Sequence, residues 1–435
     1  MGRWRAISGL VVGAWLFGAA GCDATPPARE PVVAVQAPVD PCGAPVDPAA
    51  LWARHERQGW TEARCAEAAT AWRSQSCRHE QKRGRPDWSA LYNAALALER
   101  CGSSEAEGAF AELLQRQPQH HRARVKVALH RFARTGERDL DGTTAELERA
   151  VRDADFQNEE ALVALASLEL RRAADGAEAD RSDALARAEL NLKRALAVDD
   201  RHMPAYNQLA LLHLARARAA AGANADATSA RPNAQMLDLA ALVVAQALRI
   251  DPRHAPLHNT EGLVARAQGD LSRAAAAFQR ARTLDPRLFE AHANYASVNL
   301  EFRGFVAAEA AYRDALALRP RDYEAHLGLA LCLRGRLSEP GIDYPGTIAL
   351  VERELETAKA LAPERPETYY NQAILAEEFK ARDAGDDHGR ELRRAHALLR
   401  EFVAKASGKP DYAAASARAT ERVDDIERIL KFTGR

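Results

Sequence analysis

Three histidines raise the question of chemistry first. His258, His292 and His326 follow one another at intervals of 34 residues. Imidazole is the commonest metal ligand in proteins, so an evenly spaced row invites a zinc reading. The interval argues against it. Zn–N bonds are ~2.0–2.1 Å long, so the ligands of one ion must converge, whereas positions recurring every 34 residues ride on separate, equivalent elements. The row predicts a packing position instead, an amphipathic ring set against the preceding helix, with Tyr206 and Tyr369 in the equivalent places on either side. His254 precedes His258 by four residues with Pro256 between them, so that pair is expected to straddle a helix start. Carboxylates are scattered along helix faces, and the chain holds no phosphate-loop motif, no HExxH and no GxSxG. No catalytic constellation, metal site, cofactor or small-molecule substrate is expected.

The cysteines carry the second possible chemistry. Residues 1–21 form a targeting segment: basic Arg3 and Arg5, the apolar run from Ile7 to Ala20, then Gly21 and Cys22. The run falls short of the ~20 residues that span a bilayer. Ala19-Ala20-Gly21-Cys22 resembles the lipobox of bacterial lipoproteins, with Ala19 where that family prefers Leu. The resemblance implies cleavage before Cys22 and acylation there, hence a lipid anchor on the periplasmic face of a bacterial membrane; inner or outer membrane is left open. Export implies an oxidising compartment, in which Cys42, Cys65, Cys77 and Cys101 are candidate disulfide partners. Four cysteines allow three pairings; a link such as Cys65–Cys77 would close a short loop and contribute about 3 kcal/mol. No CxxC pair favours zinc. Cys332 lies on an apolar helix face and is expected as a buried free thiol.

The elements that position these residues follow from a repeat. Ala255–Leu288 and Phe289–Asp322 are two uninterrupted copies of one pattern: Gly262 falls on Ala296, Ala274 on Ala308, Phe278 on Tyr312, Ala281 on Ala315 and Pro286 on Pro320. This resembles the tetratricopeptide repeat (TPR), a helix–turn–helix unit of 34 residues. The resemblance implies an all-α, right-handed superhelical solenoid that serves as an interaction scaffold. Each position has a physical role. Small residues at the eighth and twentieth places let helices A and B approach, a large ring at the twenty-fourth fills the space between them, and Pro at the thirty-second ends helix B.

The same ruler organises the chain. Residues 22–48 carry the lipidated Cys22 and seven prolines, a tether. Residues 49–86, with Trp52, Trp60 and Trp72, read as a Cys/Trp-rich cap of two helices at 48–58 and 61–76. About eight repeats, some degenerate, occupy 87–410, with Trp88 at the start of the first. Polar inserts between helices A and B fall at DGAEADRS, AGANADATSARPNA, GRLSEPGIDYPG and around DAGDDHG. Gln372 stands where an apolar residue is expected, which suggests a register slip of one. Tyr412, Ala415, Ala419, Val423, Ile426 and Leu430 form one stripe at helical spacing, a capping helix within 411–435.

In the TPR family, helix A positions five, nine and twelve line the groove. Carried over, they are Asn207, Asn259, Ala293, Leu327 and Tyr370; Leu211, Leu263, Ser297, Leu331 and Ile374; and Leu214, Arg266, Leu300, Arg334 and Glu377. That is an apolar track with two arginines, suited to a peptide with apolar anchors and an acid or two. Lys+Arg 60 against Asp+Glu 61 argues against a nucleic-acid partner. Runs such as MLDLAALVVAQALRIDPRHAPLHNTEGL, NYASVNLEFRGF and RPETYYNQAILAEEFKA are similar to the TPR lipoproteins of the myxobacterial adventurous gliding-motility machinery. This likeness covers roughly 235–435 and implies a non-enzymatic scaffold among the proteins of an envelope complex. A pilotin-like lipoprotein or an activator of a peptidoglycan enzyme are the alternatives.

Overall fold

Ala, Leu, Arg and Glu keep most of their rotamer freedom in a helix, and a chain rich in them is expected to be helical. The computed structural model describes residues 42–43, 45–175, 178–222, 233–383 and 385–432, and these form helices and turns with no strand. Cys22, the tether before Cys42 and insert residues 223–232 lie outside the described residues. The chain divides into two units at Leu212 and His213.

The first unit begins with α1 (Pro48–Gln58) and α2 (Glu62–Arg83). The Asp47 carboxylate accepts from the amides of Ala49 and Ala50, and the Thr61 hydroxyl accepts from Arg64 N. These two caps satisfy donors that the first turn leaves orphaned. α2 runs past the expected 76 to Arg83, because nothing in RSQSCRHEQKR breaks it until Gly84, at φ 69°, takes the left-handed cap. That helix excludes one of the three disulfide pairings. Cys65 and Cys77 stand on the same helix about 18 Å apart along its axis at ~1.5 Å per residue, so the short loop is sterically closed to them. The bonds are Cys42–Cys77 and Cys65–Cys101. The second ties α2 to the end of α3 (Trp88–Arg100). Trp52 and Trp60 meet edge to face at 4.7 Å, with the Arg100 guanidinium 5.1 Å from the Trp60 ring. With Trp72 they pack on Ala68, Ala69, Ala94 and Leu98.

Helix pairs follow: α3 with α4 (Glu105–Arg116), α5 (His121–Thr135) with α6 (Leu140–Asp153), and α7 (Glu159–Asp175) with α8 (Glu178–Val198). Leu147, Leu162, Leu168, Ala188 and Leu192 form the common core of α5 to α8, while Tyr92, Phe110 and Leu113 pack the α3–α4 pair. The first half of α9 (Met203–Gly222) completes this unit.

The second unit holds the rest of α9, then α10 (Ala234–Ile250), α11 (Ala255–Ala267), α12 (Leu271–Leu284), α13 (Phe289–Glu301), α14 (Phe305–Leu318), α15 (Tyr323–Arg336) and α16 (Tyr344–Leu361). The roles assigned to the repeat positions are met. Ala274, Phe278 and Ala281 of α12 are fully buried. A Cβ placed on Gly262 would lie 2.4 Å from the Phe278 ring, so the first helix of this pair needs hydrogen at that spot. α10, α12 and α14 each stop two residues before Pro252, Pro286 and Pro320. Cys332 is a buried free thiol, and burial pushes it well above the usual thiol range.

The GRLSEPGIDYPG insert leaves a turn of seven residues, 337–343, between α15, which runs to Arg336, and α16, which starts at Tyr344 because the Asp343 carboxylate accepts from Gly346 N and Pro345 sits in the first turn. Tyr344 then donates its hydroxyl to Phe379 O at 3.1 Å. The register expectation is corrected here. Register is kept at Gln372. α17 (Glu367–Ile374) buries Tyr369 and Ala373 as the repeat requires, and Gln372 donates to Glu356 at 2.6 Å. The shift comes later, where α17 continues as a π-helical segment, Leu375–Lys380, which absorbs an extra residue before α18 (Ala381–Asp383). α19 (His388–Ala406) and α20 (Ala413–Phe432) close the unit, with Ala415, Ala419 and Ile426 of the expected stripe buried.

Candidate protein-binding face

The histidine row occupies one structural position. His258 Nε2 meets Pro252 O at 2.9 Å, His292 Nε2 meets Pro286 O at 3.0 Å and His326 Nε2 meets Pro320 O at 2.9 Å. Tyr369 reproduces the bond, its hydroxyl donating to Pro363 O at 2.8 Å, and Tyr206 donates to Asp200 O at 3.0 Å in the other unit. Each ring therefore reaches six residues back to the carbonyl that follows the preceding helix. The ring nitrogen on the carbonyl must carry a proton, which removes it as a metal ligand. Among the described residues no group of three or more His, Cys, Asp or Glu is placed to hold a metal ion. On the other side of the ring, His258 Nδ1 lies 3.3 Å from Glu261 and His326 Nδ1 lies 2.7 Å from Glu354. These carboxylates hold both imidazoles above the ordinary range, and the histidines hold Glu261 and Glu354 below theirs. His254 is the cap of α11, its Nδ1 accepting from Leu257 N, and burial keeps it below the ordinary range.

Helices α11, α13, α15 and α17 carry most of the predicted groove positions. Leu300, Leu331 and Tyr370 are half-buried and apolar, with Ala293 and Ser297 beside them in the same exposure class. Leu263, Leu327 and Ile374 are buried and form the floor of that track. Tyr370 rests on Phe402 of α19, ring centroids 5.0 Å apart. Asn207 and Leu211 are half-buried on the part of α9 that belongs to the first unit.

The polar positions are tied to one another. Asn259 is buried, and its side-chain oxygen accepts from Asn294 Nδ2 at 3.0 Å, a link from α11 to α13. Arg266 is ion-paired with Glu301. Arg334 donates to Asn371 Oδ1 at 2.8 Å, and burial pulls its guanidinium down to about 10, still cationic at neutral pH. Glu377 leaves the line altogether. The π segment turns it and Glu378 toward Arg422 of α20, at 2.7 and 2.6 Å. One residue that the repeat positions did not single out joins the face. Arg218 is half-buried on α9, feels the charge of Arg266, and has no hydrogen bond or ion pair to a described residue.

No family model matches this chain, and no curated protein sequence does. Solved structures are similar to it. A human IFIT1 dimer with m7Gppp-AAAA is 16% identical, with a TM-score of 0.53 over 87% of this chain and 80% of the other. The APC/C hetero-tetramer Cut9–Hcn1 is 14% identical, TM-score 0.51, over 74% of this chain and 53% of the other. TTC0263, a thermophilic TPR protein of Thermus thermophilus, is 24% identical, TM-score 0.40, over 49% of this chain and 99% of the other. The fold is that of the tetratricopeptide repeat. Helix pairs at a 34-residue period, with a ring of the second helix seated on a small residue of the first, are its packing rule.

Proposed function

We propose that the chain is a non-enzymatic, membrane-anchored TPR scaffold whose A-helix face binds a peptide segment of a partner in a bacterial cell-envelope complex, the gliding-motility machinery being the first choice. The observation that carries this is the track of Leu300, Leu331 and Tyr370 over a floor of Leu263, Leu327 and Ile374, on successive helices whose polar side chains are already satisfied by one another. Apolar side chains held half-open on a rigid frame are what a peptide with apolar anchors needs. Two disulfides support an oxidising compartment, and the lipobox-like run ending at Cys22 supports a lipid anchor there. No described helix is long and apolar enough to cross a membrane.

The test is crosslinking and pull-down of the full chain from its own cells, beside a Leu300→Glu/Leu331→Glu variant with unchanged helical circular dichroism. Loss of envelope partners in the variant supports the reading, and unchanged recovery refutes the face as the binding site. The identity of the captured proteins decides between the alternatives: motility components, a secretin, or a murein synthase or hydrolase.

A further inference from the structure

The arginines that sequence spacing places in the groove are not free. Arg266 is neutralised by Glu301 and Arg334 is satisfied by Asn371. Among the described residues of this face the cation left over is Arg218, which the spacing rule passes by because it lies beyond the usual end of helix A. α9 is longer than α11, α13 or α15, continuing to Gly222, and carries Arg218 one turn past Leu214 on the same face. The nearby Ala217 carbonyl accepts from Asn233 N, the residue that caps α10, so the chain is pinned back at this point.

A half-buried guanidinium with no anion is costly, since its lost hydration is not replaced. Among the described residues the charged neighbour acting on it is Arg266, which raises the cost, and burial together with that neighbour draws Arg218 below the ordinary guanidinium range. Nothing in the described protein offsets this. A ligand carboxylate does, through the two parallel N–H donors of the guanidinium fork.

We propose that Arg218 is the acid-recognition point of the binding face and takes an Asp or Glu side chain of the partner peptide, flanked by apolar residues that enter the adjoining track. This rests on the reading of that face as a peptide site. A single carboxylate suits it better than a polyanion, because Arg266 is already taken by Glu301 and the chain as a whole carries a formal charge of −1.

The experiment uses the full chain and three fluorescent probes: a peptide of Leu, Ala and Ser with one central Glu, the same peptide with Gln, and single-stranded oligo-dT. The Glu peptide is expected to bind about tenfold more tightly than the Gln peptide, and Arg218→Leu should remove that difference while leaving the Gln peptide unchanged. Arg218→Leu is also expected to melt at or above the native temperature, which a structural arginine would not do; Arg218→Gln serves if the Leu variant misfolds. Equal binding of the Glu and Gln peptides overturns the proposal and leaves the face reading intact, as does equal weakening of both by the substitution. Arg218-dependent binding of oligo-dT overturns it in favour of nucleic acid. Binding of no probe at all overturns the face reading, and the Arg218 site with it.

Discussion

At the scale of residues, the histidine row is a protonation device as well as a packing one. His258 and His326 each have one ring nitrogen on a Pro carbonyl and the other on a carboxylate, so both nitrogens meet an acceptor and the fold favours the charged ring more than water does. Their pKa values are raised in the folded chain. The stabilisation is therefore fully present below the ordinary imidazole value and fades as pH climbs through the raised one. These two histidines are expected to contribute more to the free energy of urea unfolding at pH 6 than at pH 8, while His254, held below the ordinary range, works in the opposite direction. His326→Gln keeps a donor for Pro320 but cannot charge, so it should flatten that dependence and cost about 1 kcal/mol at pH 6. An unaltered pH profile in this variant would mean that the Glu354 contact contributes nothing. The interval of 34 made the row legible as a structural position. The bond it makes was not legible, because its acceptor is a backbone carbonyl and any residue would supply one. Arg218 was missed for a related reason: the family's positions describe helices of ordinary length, and α9 is longer.

At the scale of elements, the small-against-large rule carries measurable weight. Gly262→Ala would add a helix-favouring residue, and on an exposed helix that stabilises. Here the added methyl meets the Phe278 ring at 2.4 Å, so the outcome reverses. A loss of about 1–3 kcal/mol is expected in thermal or urea unfolding, the usual cost of overpacking. Restored stability in the Gly262→Ala/Phe278→Leu double variant would locate that cost at this contact. The helix pairs were legible because small, large and Pro residues recur at fixed offsets. The π segment was not. LAEEFK has ordinary helix formers throughout, and what settles its winding is tertiary: Arg422 draws Glu377 and Glu378 to one side while Tyr344 holds the Phe379 carbonyl. Gln372 itself keeps the register, and the extra residue is taken up a turn later, between Leu375 and Lys380.

At the scale of the whole molecule, each repeat leans on its neighbours, so damage stays local. The disulfides Cys42–Cys77 and Cys65–Cys101 enclose sequence separations of 35 and 36 residues, worth about 3–4 kcal/mol each in chain entropy. Non-reducing peptide mapping should recover these two pairs and no Cys65–Cys77 link. Reduction is expected to speed hydrogen exchange across α1 to α4 and leave α11 to α16 protected; a uniform loss would show that the array unfolds as one. The joint between repeats has its own consequence. Because His258, His292 and His326 stand the same six residues beyond a Pro carbonyl, excising Ala255–Leu288 would bring His292 to the distance from Pro252 that His258 held. The seam closes on an identical bond, and duplication of the segment closes in the same way. Such a chain is editable in length by whole modules, with each new neighbour meeting a socket it already fits.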